Sequence, residues 1–308
     1  MKIVFLDAST LGATPMDEIT CLGQYVAYPE STPEQALERV ADCEVLLVNK
    51  VKVTDRLLAA APKLRLICET ATGVNNIDLA AAERRGVIVR NAAGYSTDAV
   101  VQATFAHLLA LMGRSRYFDD CVKSGRYSQY RIFTDVSNPS VDLAGKTIGI
   151  IGLGNIGSRV ASVAEAFGMK VIYYSTSGTS HSREYPSVPL DELLTAADVV
   201  SIHAPLNERT ASLIGEPQLR RMKGTAVLLN LGRGGIVDEA ALAKCVDEGV
   251  IAGAGLDVYE VEPLPADSPL LGVKHPERFS FSPHSAWASQ QALRNLVSIV
   301  AENIRRGW

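Results

Sequence analysis

Twice along its length this chain sets short, almost continuously apolar runs against longer segments whose apolar residues recur every three or four positions. In the first series "KIVFLD", "YVAYP", "EVLLVN", "LRLICE" and "GVIVRN" read as strands, with helices in "TPEQALERVADC", "TDRLLAAAP" and "DLAAAERRG". Thr32 ahead of Pro33, Thr54 and Asp78 are placed to cap these helices, and Gly86 to stop one. The second series begins at "KTIGIIGLG". Its strands read "TIGII", "KVIYYS", "DVVSIHA", "AVLLNL" and "IAGAGLDV", with helices in "LDELLTAA" and "DEAALAKCVDEG". Strands without polar alternation must be covered on both faces, which calls for a parallel sheet flanked by helices. The expected fold is α/β, with one parallel sheet per series.

At 308 residues the chain has length for about two domains. Between the series, "TDAVVQATFAHLLALMGRSRYFDDCVKSGRY" reads as one or two long helices, followed by the turn-rich "TDVSNPSVDLAGK". The last segment, "SQQALRNLVSIVAENIRR", reads as an amphipathic helix. Hydrophobic residues make up 47% and charged residues 21%, and a formal charge of −4 gives no electrostatic footprint for nucleic acid. The five cysteines, Cys21, Cys43, Cys68, Cys121 and Cys245, form no C-x-x-C pair, which points to neither zinc nor a disulfide framework. The apolar run after Met1 is too short for a signal-peptide core, and no stretch approaches the roughly 18 apolar residues of a membrane span. The expectation is a cytoplasmic protein with no metal, membrane or nucleic-acid partner.

Gly152, Gly154 and Gly157 form G-L-G-N-I-G between the strand "TIGII" and the helical "SRVASVAEAF". In this setting the first glycine permits a tight turn, the second lets backbone amides approach a pyrophosphate, and the third lets helix and strand pack closely. The helix start adds free N–H groups and partial positive charge. A carboxylate for the ribose hydroxyls is expected near the end of the next strand. Here the chain reads Tyr174, Ser175, Thr176 and Ser177, with Ser175 lying 18 residues past Gly157. A carboxylate would favour NAD and repel a 2′-phosphate, whereas hydroxyls do neither. The cofactor is expected to be NAD or NADP, with a lean toward NADP. His181 and Arg183 are nearby cations that could reach a phosphate.

Charged residues also stand where three later strands end: Arg233 in "LLNLGRGGIVDEAAL", Asp257, Glu260 and Glu262 in "GLDVYEVEP", and His284 in "FSFSPHSAW". Strand C-terminal ends of a parallel sheet converge on its ligand crevice, so these residues can meet there. Arginine between glycines can offer its guanidinium fork to a carboxylate, and a histidine beside a carboxylate makes a general acid.

The motifs "ATGVNNIDLAAAERRGVIV", "GYSTDAVVQATFAHLLAL", "GIIGLGNIG", "NLGRGGIVDEAAL", "GLDVYEVEPL" and "SPHSAWAS" span almost the whole chain. In this order they resemble the D-isomer-specific 2-hydroxyacid dehydrogenase family, most closely its glycerate dehydrogenase/hydroxypyruvate (glyoxylate) reductase branch. The resemblance implies two Rossmann-like or flavodoxin-like domains with a cleft between them. Residues 1–98 with 285–308 would form a discontinuous substrate domain, and 99–284 the dinucleotide-binding domain. It implies a hydride exchange between a nicotinamide and a small D-2-hydroxy acid/2-keto acid pair. His284 would be the acid/base and Glu262, preferred over Glu260 on the motif alone, its partner. Arg233 would bind the substrate carboxylate and carbonyl. The loop Ala71, Thr72, Gly73 and Val74 would grip the carboxylate through backbone N–H groups, with Trp287 near the mouth. Cofactor contacts would fall on Gly152, Gly154, Asn155, Ile156, Gly157, Ser175, Thr176, His203, Pro205, Leu231 and Asp257, the last at the nicotinamide carboxamide. The segment Ala99–Met112 would form a homodimer interface. Glutamate at 262, where formate dehydrogenases carry glutamine, argues against formate. Relatives often continue beyond the position of Trp308. Reduction of another, larger 2-keto acid and a non-catalytic dinucleotide sensor are the competing functions. His107 reads as a core or interface residue, His275 carries no functional signal, and Lys50 is a candidate to face the cleft.

Overall fold

The apolar runs form strands whose burial follows their position in the sheets. The computed structural model describes residues 1–179, 182 and 184–308, and His181 and Arg183 lie outside the described residues. It divides into two units, Met1–Ser96 with Ala288–Trp308, and Thr97–Trp287.

The first unit carries strands β1 (Lys2–Phe5), β2 (Gln24–Ala27), β3 (Val45–Val48), β4 (Leu66–Glu69) and β5 (Ile88–Arg90). They pair in parallel in the order β2-β1-β3-β4-β5. β3 and β4 are buried throughout, whereas the edge strands β2 and β5 keep partly exposed residues. Thr32 makes a capping box with Gln35, and the side chains of Thr54 and Asp78 accept N–H groups of Leu57 and Ala81. These caps satisfy donors that the first helical turn leaves free. The final helix, Gln290–Arg305, is capped by Ser289 and belongs to this unit; Ser298 on it donates to Glu18 at 2.7 Å.

The second unit carries β6 (Thr147–Ile151), β7 (Lys170–Tyr174), β8 (Val199–Ile202), β9 (Val227–Asn230), β10 (Gly253–Leu256) and β11 (Phe279–Phe281). They form one parallel sheet in the order β11-β10-β9-β8-β6-β7. The chain direction across the sheet reverses between β6 and β8, the switch point where an open α/β sheet takes its ligand. The long apolar stretch after Ser96 becomes two helices, Thr97–Met112 and Ser115–Lys123. The first lies on the sheet with Leu108 fully buried. Gly255 permits this approach, because a Cβ there would stand 3.0 Å from the Cβ of His107. His107 is a buried tie within the unit: its ring bonds the hydroxyls of Ser280 at 2.8 Å and Ser282 at 2.9 Å, and burial lowers its pKa. Among the described residues no helix is long and apolar enough to cross a membrane.

Candidate active site

The loop after β6 is built by its glycines. Gly152 has φ +91°, and a Cβ on it would lie 2.9 Å from the backbone of Ala204 in the loop after β8. A Cβ on Gly157 would lie 2.2 Å from the carbonyl oxygen of Gly152, so only glycine lets the helix Asn155–Ala166 start this close to the strand end. Around Gly154 a Cβ would meet nothing within 4 Å.

Leu231 is buried beneath the loop that follows β9, and Arg233 is half-buried. Asn230 holds this loop from both sides, accepting from the N–H of Gly232 at 3.1 Å and donating to the carbonyl of Arg233 at 2.9 Å. The glycines flanking Arg233 have packing reasons. A Cβ on Gly232 would lie 3.0 Å from the carbonyl of Ala204, and one on Gly234 would fall 1.8 Å from the carbonyl of Tyr259. The arginine loop is thereby pressed against the loop that carries Glu262. Among the described residues the guanidinium makes one bond, to the carbonyl of Gly232 at 2.8 Å.

Glu262 and His284 meet. The Nδ1 of His284 lies 2.7 Å from one carboxylate oxygen of Glu262, and the other oxygen accepts the N–H of Tyr259 at 3.0 Å. With Nδ1 committed to the carboxylate, Nε2 is the ring nitrogen left for a reacting group. Glu260, the competing carboxylate, is exposed, and its N–H donates to Glu239 at 2.6 Å. The histidine loop is over-determined. His284 has φ +50°, and its N–H donates to the carbonyl of Asp257 at 2.7 Å. The Asp257 carboxylate accepts the N–H groups of Ser285 at 2.9 Å and Ala286 at 3.1 Å together with the hydroxyl of Ser282. A non-glycine residue in that region costs on the order of 1–3 kcal/mol and persists where its surroundings fix it. Asp257 is 1% exposed, and these bonds brace the His284 loop.

The family model for "D-isomer specific 2-hydroxyacid dehydrogenase, NAD binding domain" matches residues 105–286. The chain belongs to the D-isomer-specific 2-hydroxyacid dehydrogenases. It is similar to a glyoxylate reductase of Korarchaeum cryptofilum, 41% identical over 87% of this chain and 80% of that protein. It is also similar to a glycerate dehydrogenase of Methylorubrum extorquens, 36% identical over 98% of this chain and 95% of the relative. A crystal structure of a protein from Thermus thermophilus superposes with a TM-score of 0.88 at 31% identity, covering 99% of this chain and 96% of the other.

The dehydrogenase is therefore an oxidoreductase of the nicotinamide-dependent type, and its own residues fit such a group. The helix Asn155–Ala166 begins without a side-chain cap, so its first N–H groups are free for a pyrophosphate, and the glycine before it leaves the approach clear. Beside it Pro205 is exposed, and His203 bonds Ser201 at 2.8 Å while its Nδ1 is buried without a partner. Burial pushes the His203 pKa down to about 4, so this ring is neutral. Trp287 is half-buried against the apolar core beneath Thr97–Met112. Ser175 donates to the carbonyl of Thr179 at 2.6 Å, and Thr176 is partly exposed beside it.

In the first unit the loop Ala71–Val74 follows β4. Asn91 donates to the carbonyl of Thr72 at 2.6 Å and Asn49 to that of Thr70 at 3.1 Å. Ala92 and Ile77 donate to the carbonyls of Ala71 and Val74, and among the described residues the N–H groups of 71–74 donate no hydrogen bond. Lys50 is exposed. Two residues carry features that sequence reading passed over. Glu69, at the end of β4, is fully buried with one oxygen unpartnered. Arg209 reaches the turn after β7. The sequence signal for both was faint: a carboxylate inside the apolar "LRLICET", and a cation in a polar loop.

Proposed function

We propose that this dehydrogenase interconverts a small 2-keto acid, glyoxylate or hydroxypyruvate, with its D-2-hydroxy acid, using NADPH in preference to NADH. The observation that carries the reading is the 2.7 Å contact between Nδ1 of His284 and Glu262, on loops locked to the Arg233 loop through Gly234. A bound reduced nicotinamide supplies hydride. Glu262 orients the imidazole, so that His284 holds a proton at Nε2 and delivers it to the substrate oxygen, taking it back in the oxidative direction. Arg233 offers a guanidinium that is not committed to a carboxylate, suited to the substrate's carboxylate and carbonyl. The N–H groups of Ala71–Val74 are suited to a carboxylate, and the unit that contains them is the proposed substrate domain. Relatives named for glyoxylate and glycerate support the substrate class. The hydroxyls at Ser175 and Thr176, with no carboxylate beside them, favour a 2′-phosphate.

A homodimer is part of the proposal. Leu109 on the outer side of helix Thr97–Met112 is 41% exposed, and in the segment after the next helix Ile132, Phe133 and Val136 are 61%, 88% and 70% exposed. Such a run of apolar surface is suited to a second copy. The test of function is a panel of 2-keto acids with NADPH or NADH, following loss of reduced-nicotinamide absorbance. Turnover of glyoxylate or hydroxypyruvate is expected, and no turnover with any 2-keto acid rejects the enzyme reading in favour of a dinucleotide sensor.

A further inference from the structure

We propose that Arg209 is the specificity-determining residue for the cofactor, its guanidinium binding the 2′-phosphate on the adenosine ribose; this rests on the NADPH reading above. In a Rossmann-like unit the ribose lies past the end of the second strand, here β7, which stops at Tyr174. The turn that follows contributes the hydroxyls of Ser175, Thr176, Ser177 and Thr179 and contains no carboxylate. Arg209 comes to this turn from a different segment, 32 residues away, and its Nη1 donates to the carbonyl of Ser177 at 2.8 Å. Gly178, at φ +82°, shapes this turn, and a Cβ there would lie in ordinary contact with Nη1, 3.7 Å away.

The loop that carries Arg209 is built to hold it there. Thr210 is fully buried and donates to the carbonyl of Pro205 at 2.7 Å, while the N–H of Arg209 itself donates to the side chain of Asn207 at 2.9 Å. The side chain is exposed, and among the described residues it has no carboxylate partner. The undescribed residues, Ser180, His181 and Arg183, include no acid. The guanidinium thus uses one of its five N–H donors on a neutral carbonyl and keeps the rest. A phosphate dianion is a much stronger acceptor than a carbonyl, and the planar fork matches it with two parallel bonds. NADH places a neutral hydroxyl at that position and gives Arg209 nothing to exchange its carbonyl for. Arg209 therefore discriminates by what it gains with NADPH, and Ser175 and Thr176 by not repelling it.

The experiment measures equilibrium binding of NADPH, NADH, 2′,5′-ADP and 5′-AMP to the full-length protein and to Arg209→Ala and Arg209→Lys variants by titration calorimetry at low salt. Wild type is expected to bind 2′,5′-ADP more tightly than 5′-AMP. Arg209→Ala should weaken NADPH and 2′,5′-ADP by about tenfold or more, the scale of one charge-assisted contact, while NADH and 5′-AMP stay within roughly twofold. Arg209→Lys should recover part of the loss, and raised salt should erode the wild-type preference. If Arg209→Ala weakens all four ligands alike, or none, the residue is a structural tie and the assignment fails while the NADPH reading stands. If wild type shows no preference for the 2′-phosphate, the NADPH reading itself fails and takes this assignment with it.

Discussion

Replacing Glu69 by glutamine should make the first unit more stable at alkaline pH and leave it unchanged in acid. Glu69 ends β4 with no exposed surface. One oxygen accepts from Asn76 at 2.9 Å, and the other is buried without a partner. Burial pushes its pKa from 4.5 up to about 8, with the Asp7 charge adding to the rise while the Asn76 bond and Lys50 oppose it. The folded state therefore keeps a proton that the unfolded chain releases near pH 4.5. Below that value both states are protonated and the group is neutral to stability. Between about pH 4.5 and 8 the unfolded state gains on the folded one, and above about 8 the full penalty is in place. From 4.5 to about 8, at about 1.36 kcal/mol per factor of ten in proton affinity, that penalty is roughly 5 kcal/mol. Glutamine keeps the shape and the acceptor for Asn76 and removes the charge. The assay is urea unfolding at pH 5 and pH 9 in a Trp287→Phe background. Trp308, 49% exposed with the Arg65 guanidinium 5.7 Å from its ring centre, then reports on the first unit alone. The two proteins should differ by less than about 1 kcal/mol at pH 5, and the variant should exceed its parent by about 3–5 kcal/mol at pH 9. Parallel pH profiles would refute the burial argument.

Gly234→Ala puts a methyl group 1.8 Å from the Tyr259 carbonyl, so the Arg233 and Glu262 loops must separate. We expect activity to fall by about a hundredfold or more while the rest of the unit keeps its fold, read by steady-state kinetics beside circular dichroism. For the proposed dimer, Phe133→Asp places a charge on a side chain that is 88% exposed in the single chain. Sedimentation should show monomer for the variant and dimer for the parent; a monomeric parent refutes the interface.

The parallel sheets were legible because strands covered on both faces need apolar residues at every position, as in "EVLLVN" and "AVLLNL". Edge strands obeyed the rule less well, and β2 keeps exposed residues at both ends. The glycine loop was legible because its backbone geometry admits no other residue at Gly152 and Gly157. For the three charged residues the sequence offered strand ends but no distances. Only the fold supplies the 2.7 Å contact at His284 and the exposure of Glu260. At Asp257 the sequence offers a carboxylate at a strand end, and the fold adds that it accepts three donors from the His284 loop. Glu69 and Arg209 were hidden for a similar reason. Burial of the first depends on the whole sheet. The position of the second depends on a contact across 32 residues of chain.

The central claim is that His284, set by Glu262, supplies the proton that accompanies hydride to a small 2-keto acid. It is tested most directly by turnover of glyoxylate and hydroxypyruvate in the wild type and in His284→Asn, with nucleotide affinity measured on the same samples. The account predicts turnover by the wild type, a loss of about 10²- to 10⁴-fold in kcat in the variant, and nucleotide affinity within roughly twofold. Unchanged turnover in His284→Asn would contradict it.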